Sequence, residues 1–214
     1  IVAHEPTRLL RLFDSLWLAV GFTALSVAIA VLSGVLIVRR RVRGRGAIAA
    51  LLATPWAVPG TVFALALATA FSVREPWAAR MVLVGTIWIL PLAYLIRDLP
   101  VTSRPVLTGF RQLDPTLDDA AAALGADRWT AWRRVILPLL RPAIAAGAAL
   151  AFVTALGDFV TSILLYTYDS RPMSLEILSS LRDGDVGVAA VYGVVLMLAS
   201  AAVFLLGSER SPTR

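Results

Sequence analysis

From Ser15 to Val38 the chain reads SLWLAVGFTALSVAIAVLSGVLIV, 24 positions without a charged residue. A helix of that length rises about 36 Å at ~1.5 Å per residue, enough to cross a hydrocarbon core of about 30 Å with some tilt. Four more apolar runs invite the same reading: residues 47–71, 81–96, 143–165 and 186–206. The third is the shortest and contains Pro91. The pattern predicts an all-α membrane protein of about five transmembrane helices, with a lead-in at 1–14, a transmembrane domain over 15–206 and a tail at 207–214.

Between the third and fourth runs lies a loop, residues 97–141, that contains DDAAAALGADRWTAWRRVILPLLRP at 118–142. Asp114-Pro115 has the chemistry of a helix start: a carboxylate that accepts from free backbone N–H groups, then a proline where no N–H is needed. Asp118 and Asp119 follow at the positive end of the helix dipole, and the alanine run after them favours helix. Gly125 suits the left-handed conformation that ends a helix, and Asp127 can start a second one, from Arg128 to about Leu137, with Pro138 opposing its continuation. Ala120, Ala121 and Leu124 fall on one face of the first helix, where small side chains permit close approach by another surface or by the chain's own bundle.

Arginine sets the orientation. All 20 basic residues are Arg; five lie in 39–46, seven in 97–141 and two, Arg210 and Arg214, in the tail. Basic residues near span ends are retained in the cytoplasm, so these segments and the charged loop are expected there. A charged fraction of 16%, against about 25% for soluble domains, agrees with a membrane location. The net charge of +6 is accounted for by topology, and no basic face interleaved with aromatics points to nucleic acid. The absence of cysteine excludes disulfides and thiolate sites. A start at Ile1 rather than Met suggests a piece of a longer polypeptide.

The segment Asp119-Ala120-Ala121, then Leu124-Gly125-Ala126, then Ile136-Leu137-Pro138 with Pro142 and Gly147 resembles the EAA loop of ABC-transporter inner-membrane permeases. Asp119 stands where that family has glutamate, keeping the charge with one methylene less of reach, and the ending is contracted so that Val135 or Ile136 takes the apolar position. The resemblance implies that Asp119, Ala120, Ala121, Leu124, Gly125, Leu137 and Pro138 form a coupling element for a separate cytoplasmic ABC ATPase. It also implies a second permease domain, either a copy or a homologous half, and an extracytoplasmic solute-binding protein meeting the outer loop 168–185. The setting would be a bacterial-type inner membrane, with lipid around the bundle and ATP on the partner. GDF and TSILLY, within 157–166, are similar to the branch with ferric-iron, thiamine, phosphonate and polyamine importers; ferric iron is the first expectation, with this chain as the C-terminal half of a fused permease.

A motor of the chain's own is not expected, because a P-loop needs a lysine and the sequence contains none. No enzyme activity, metal or bound cofactor is expected either; the lone His4 sits in the lead-in without neighbouring ligands. Two intramembrane features are candidates for the translocation path. Asp158 lies within the fourth run, where a charge must face protein or water; it either lines the path, pairs with an arginine, or caps a helix broken at Gly157. TPWAVPG, residues 54–60, brings Pro59 and a second proline into the second run, predicting a kink for a gate or for packing. An ion-gradient transporter is the alternative, expected to show inverted repeats that this sequence lacks.

Overall fold

The structure is a computed structural model that describes residues 6–40, 42–74, 76, 80–167 and 170–208, with side chains from Leu16 to Leu205. His4 and residues 209–214 of the tail lie outside the described residues. Every regular element among those described is helical: α1 (Pro6–Gly34), continued by a π-helical turn Val35–Arg39; α2 (Arg45–Ala57); α3 (Gly60–Ala70); α4 (Ile89–Gln112); α5 (Leu117–Ala123); α6 (Arg128–Gly157); α7 (Phe159–Leu165); α8 (Met173–Arg182); and α9 (Val186–Ser208). The chain is an all-α, multi-pass membrane protein.

Three helices are long and apolar enough to cross a bilayer, within 16–39, 128–157 and 186–205, and the α2–α3 pair makes a fourth crossing if its 107° bend is counted as one broken span. α4 is not among these four. Its 24 residues are long enough, but it carries Arg97, Asp98, Arg104 and Arg111. The third run therefore lies elsewhere than expected: residues 81–88 are turns, and helix begins at Ile89. Leu83 and Val84 donate backbone N–H bonds to the Phe71 carbonyl, and Gly85 takes φ 82°, so this apolar stretch folds back on the end of α3. Pro91 then falls in the first turn of α4, where its missing N–H costs no helical bond.

The loop's second helix also departs from expectation, because Pro138 does not stop it. Arg128–Gly157 is continuous, and the turn Trp132–Ile136 just before the proline is π-helical. Widening the turn there accommodates a ring that would otherwise clash with the preceding carbonyls.

α1, α4 and α6 form the centre. Ser26 Oγ and Thr102 Oγ1, both buried, share a hydrogen bond of 2.7 Å between α1 and α4. Small residues set the α4–α6 approach: a Cβ on Gly147 would lie 2.8 Å from the Thr102 carbonyl oxygen, and one on Gly109 would lie 2.6 Å from Ala143 Cβ. Towards the loop, Ala30, Val106, Phe110, Ile136 and Leu140 make a buried cluster; the Phe110 ring stacks on Trp132 at 6.1 Å and fills the space over Gly34. A larger apolar cluster at the other end joins Phe22, Leu67, Leu90, Phe152, Leu165 and Tyr192. Ahead of α9, α8 buries Met173, Leu175, Glu176 and Ser180 against the bundle.

Candidate functional site

The EAA-like segment folds as a compact corner between α4 and α6. Asp114 Oδ1 accepts from the Thr116 N–H at 2.9 Å and from the Thr116 hydroxyl at 2.8 Å, closing a turn, so α5 starts at Leu117 rather than at Pro115. Asp118 and Asp119 occupy the first turn as expected. Gly125 ends the helix with φ 77°, and the Ala126 N–H bonds back to the Ala121 carbonyl at 3.0 Å. Asp127 caps α6, accepting from the Thr130 N–H at 3.2 Å. These hydrogen bonds hold both carboxylates below the ordinary range: for Asp114 chiefly the bond from the Thr116 backbone, for Asp127 chiefly that from the Thr130 side chain.

The expected face of α5 divides. Ala121 turns to its own bundle and is buried, whereas Ala120 is exposed and Leu124 is 90% exposed. Trp129, on the other side of Gly125, is 67% exposed; it was not singled out in the sequence. Two large apolar side chains thus project at the corner, an arrangement that suits a protein partner better than water. Leu137 and Pro138 do not join them, lying further along α6, half-buried. Asp118 reaches back to Arg39 at the end of the π turn following α1, Nη1 to Oδ2 at 2.8 Å.

A second polar centre lies where two helices break. Asp158 separates α6 from α7, caps α7 by accepting from the Thr161 N–H at 3.0 Å, and pairs with Arg97 Nε at 3.5 Å. It therefore meets both roles foreseen as alternatives to lining a path: arginine partner and helix cap. The Asp158 carbonyl accepts from Ser162 Oγ, which in turn meets Tyr94 OH. The other break is at Val58–Pro59, between α2 and α3, with Pro59 exposed at the bend. The Arg97 guanidinium reaches it too, since a Cβ on Gly60 would lie 2.9 Å from Arg97 Nη2. One arginine of α4 thus joins both breaks, and α3 packs against α7 beyond them.

Two more charged residues lie in the membrane domain near Asp158: Arg97, paired with it from within a helix, and the buried Asp98. The hydropathy pattern instead ends a span at Ile96, just before both. Among the described residues no group of three or more His, Asp or Glu is placed to hold a metal ion.

Comparison with known proteins adds to this geometry. The family described as "Binding-protein-dependent transport system inner membrane component" matches residues 17–208. A probable ABC transporter permease protein of Sinorhizobium fredii is 30% identical over 202 residues, covering 93% of this chain and 36% of the relative. A ferric transport system permease protein of Actinobacillus pleuropneumoniae is 33% identical over 183 residues, covering 83% and 26%. A sulfate transport system permease protein of Escherichia coli is 33% identical over 173 residues, covering 77% and 62%. The chain thus spans only about a third and a quarter of the first two relatives. An inward-facing methionine ABC transporter matches with a TM-score of 0.72 at 17% identity, over 98% of this chain and 100% of that one; it supports the fold.

Proposed function

Because the chain belongs to the family of binding-protein-dependent transport system inner-membrane components, we propose that it is the permease subunit of an ABC importer. In this reading the corner 114–130 is the coupling element for a separate cytoplasmic ATPase that binds ATP, and a second permease domain completes the path. An extracytoplasmic solute-binding protein delivers the solute. The observation that carries the reading is the corner itself: a helix stopped by left-handed Gly125, a capped restart at Asp127, and Leu124 and Trp129 exposed on either side. Relatives named for ferric and for sulfate transport support an inorganic ion or its complex as solute, and ferric iron is one of these two.

Gly125 gives a direct test. A Cβ there meets nothing within 4 Å, so substitution acts through the backbone alone. Left-handed geometry costs an L-residue ~1–2 kcal/mol, less for Asn, more for a β-branched side chain. Gly125→Val is expected to lower ATPase co-purification at least several-fold, and Gly125→Asn to keep most of it. Equal retention in both variants would remove the corner from coupling.

A further inference from the structure

Arg97, Arg104 and Arg111 lie seven residues apart on α4. Seven residues bring a helix round to within ~20° of the same direction, so the three fall on one stripe about 21 Å long. The stripe runs from the two helix breaks towards the cytoplasmic corner. The opposite side of α4, with Asp98, Thr102, Val106 and Phe110, is buried in the bundle. Arg104, Thr108 and Arg111 are exposed. Arg104 lies 5.8 Å over the Trp56 ring. Two cavities of about 270 Å³ adjoin it, one reaching Trp56, Val101 and Thr154, the other Ala53, Thr108 and Arg111.

The ion pairs among the described residues are Arg39–Asp118, Arg97–Asp158 and Arg171–Glu176, which leaves Arg104 and Arg111 without an acidic partner there. Arg97 Nη1 is buried and has no hydrogen-bond acceptor. Lipid tails would not cover such a face, because guanidinium groups in hydrocarbon need partners. The same face of a second copy would set arginine against arginine. Where the face opens to the path rather than to a homologous half, its occupant is water with a ligand of opposite charge.

We propose that this stripe of α4 is an oxyanion-binding face of the solute path, and that the solute crosses as an oxyanion: an inorganic oxoanion, or a metal ion enclosed in carboxylate ligands. This rests on the permease reading above. Planar guanidinium groups take two oxygens at once, and successive arginines offer a sequence of such stations while repelling bare cations.

These 214 residues hold no cysteine, so an introduced one is their sole thiol, and labelling of the unsubstituted complex gives the background from its other subunits. Thr108→Cys, with Val101→Cys as a second position, is introduced into the complex purified with its ATPase and placed in liposomes. Each is treated with a sulfonate-bearing and with a trimethylammonium-bearing thiosulfonate, rates being normalised to a free thiol. The expected result is faster modification by the anionic reagent, with the anionic-to-cationic ratio falling about tenfold on adding Arg104→Gln. Sulfate or ferric citrate should slow the anionic reagent beyond sodium chloride of equal ionic strength. Protection by sulfate alone identifies an inorganic oxoanion; protection by ferric citrate alone identifies a chelated metal. The proposal is overturned if neither reagent reacts at either position, if the ratio is indifferent to Arg104→Gln, or if neither solute protects. ATPase retention in the same samples separates the two claims: its loss without any substitution sinks the permease reading, whereas its presence alongside failed labelling sinks only the oxyanion face.

Discussion

Asp127 is a fully solvated carboxylate whose work is local, holding the first N–H groups of α6 at the point where the chain restarts after Gly125. Its pKa is lowered in the folded protein, so its contribution is complete above the unfolded value of about 3.9 and is lost as pH falls through the lowered folded value. Amide exchange at residues 128–131, corrected for intrinsic rates, is therefore expected to accelerate in that acid window and to stay flat from pH 5 to 8. Asp127→Asn, which retains a neutral acceptor, should abolish the acid step while preserving protection; an acid step of the same size in Asp127→Asn would show that another group is responsible. Residues of this kind were legible in the sequence because both partners of each contact lie within three or four positions. Asp114 shows the limit of such local reading: the same carboxylate can cap a helix at Pro115 or close a turn on Thr116, and the fold uses the turn.

At the scale of elements, the helices depend on how closely their backbones approach. Gly147 faces the Thr102 carbonyl, a backbone atom held by its own helix and unable to swing aside. Gly147→Ala should force α6 from α4 and lower stability by roughly 1–3 kcal/mol, as overpacking does. Gly21 is the control: exposed on α1 with nothing within 4 Å of an added Cβ, it should tolerate alanine with no loss and a gain of up to ~1 kcal/mol. Thermal unfolding in detergent distinguishes them, and similar midpoints for the two variants would contradict the packing account. The elements that sequence reading misplaced are those decided by distant contacts. Residues 81–88 are apolar enough for a span but bond back to Phe71, and Pro138 is tolerated because the turn before it widens. Hydropathy sees neither. It also missed α4 as a single helix, because Arg97 and Asp98 look like a span's end until Asp158 and the bundle interior are placed beside them.

Across the whole molecule, the corner 114–130 is fastened to the membrane domain by packing around Phe110 and by the ion pair Arg39–Asp118, between residues 79 positions apart. Spacing along the chain makes the corner legible, but nothing in it foretells this tie, since Arg39 sits in a run of arginines that topology alone explains. The two partners are unequal. Arg39 is 14% exposed, and its Nε and Nη2 atoms are buried without acceptors, whereas the Asp118 side chain is 50% exposed. Asp118→Ala therefore strands a largely buried cation, while Arg39→Met leaves a carboxylate that water can solvate and keeps an apolar stem in place. Asp118→Ala should cost about 1–3 kcal/mol, within the range for a buried group left unsatisfied, and Arg39→Met less than about 1 kcal/mol, as for an exposed pair. Hydrogen exchange over α5 should follow the same order, fast in Asp118→Ala and near normal in Arg39→Met, because the corner loses its hold only when the unpaired guanidinium drives the end of α1 away from it. If Arg39→Met proves the more damaging, the carboxylate rather than the guanidinium is the group that depends on the pair, and the corner is held from its own side.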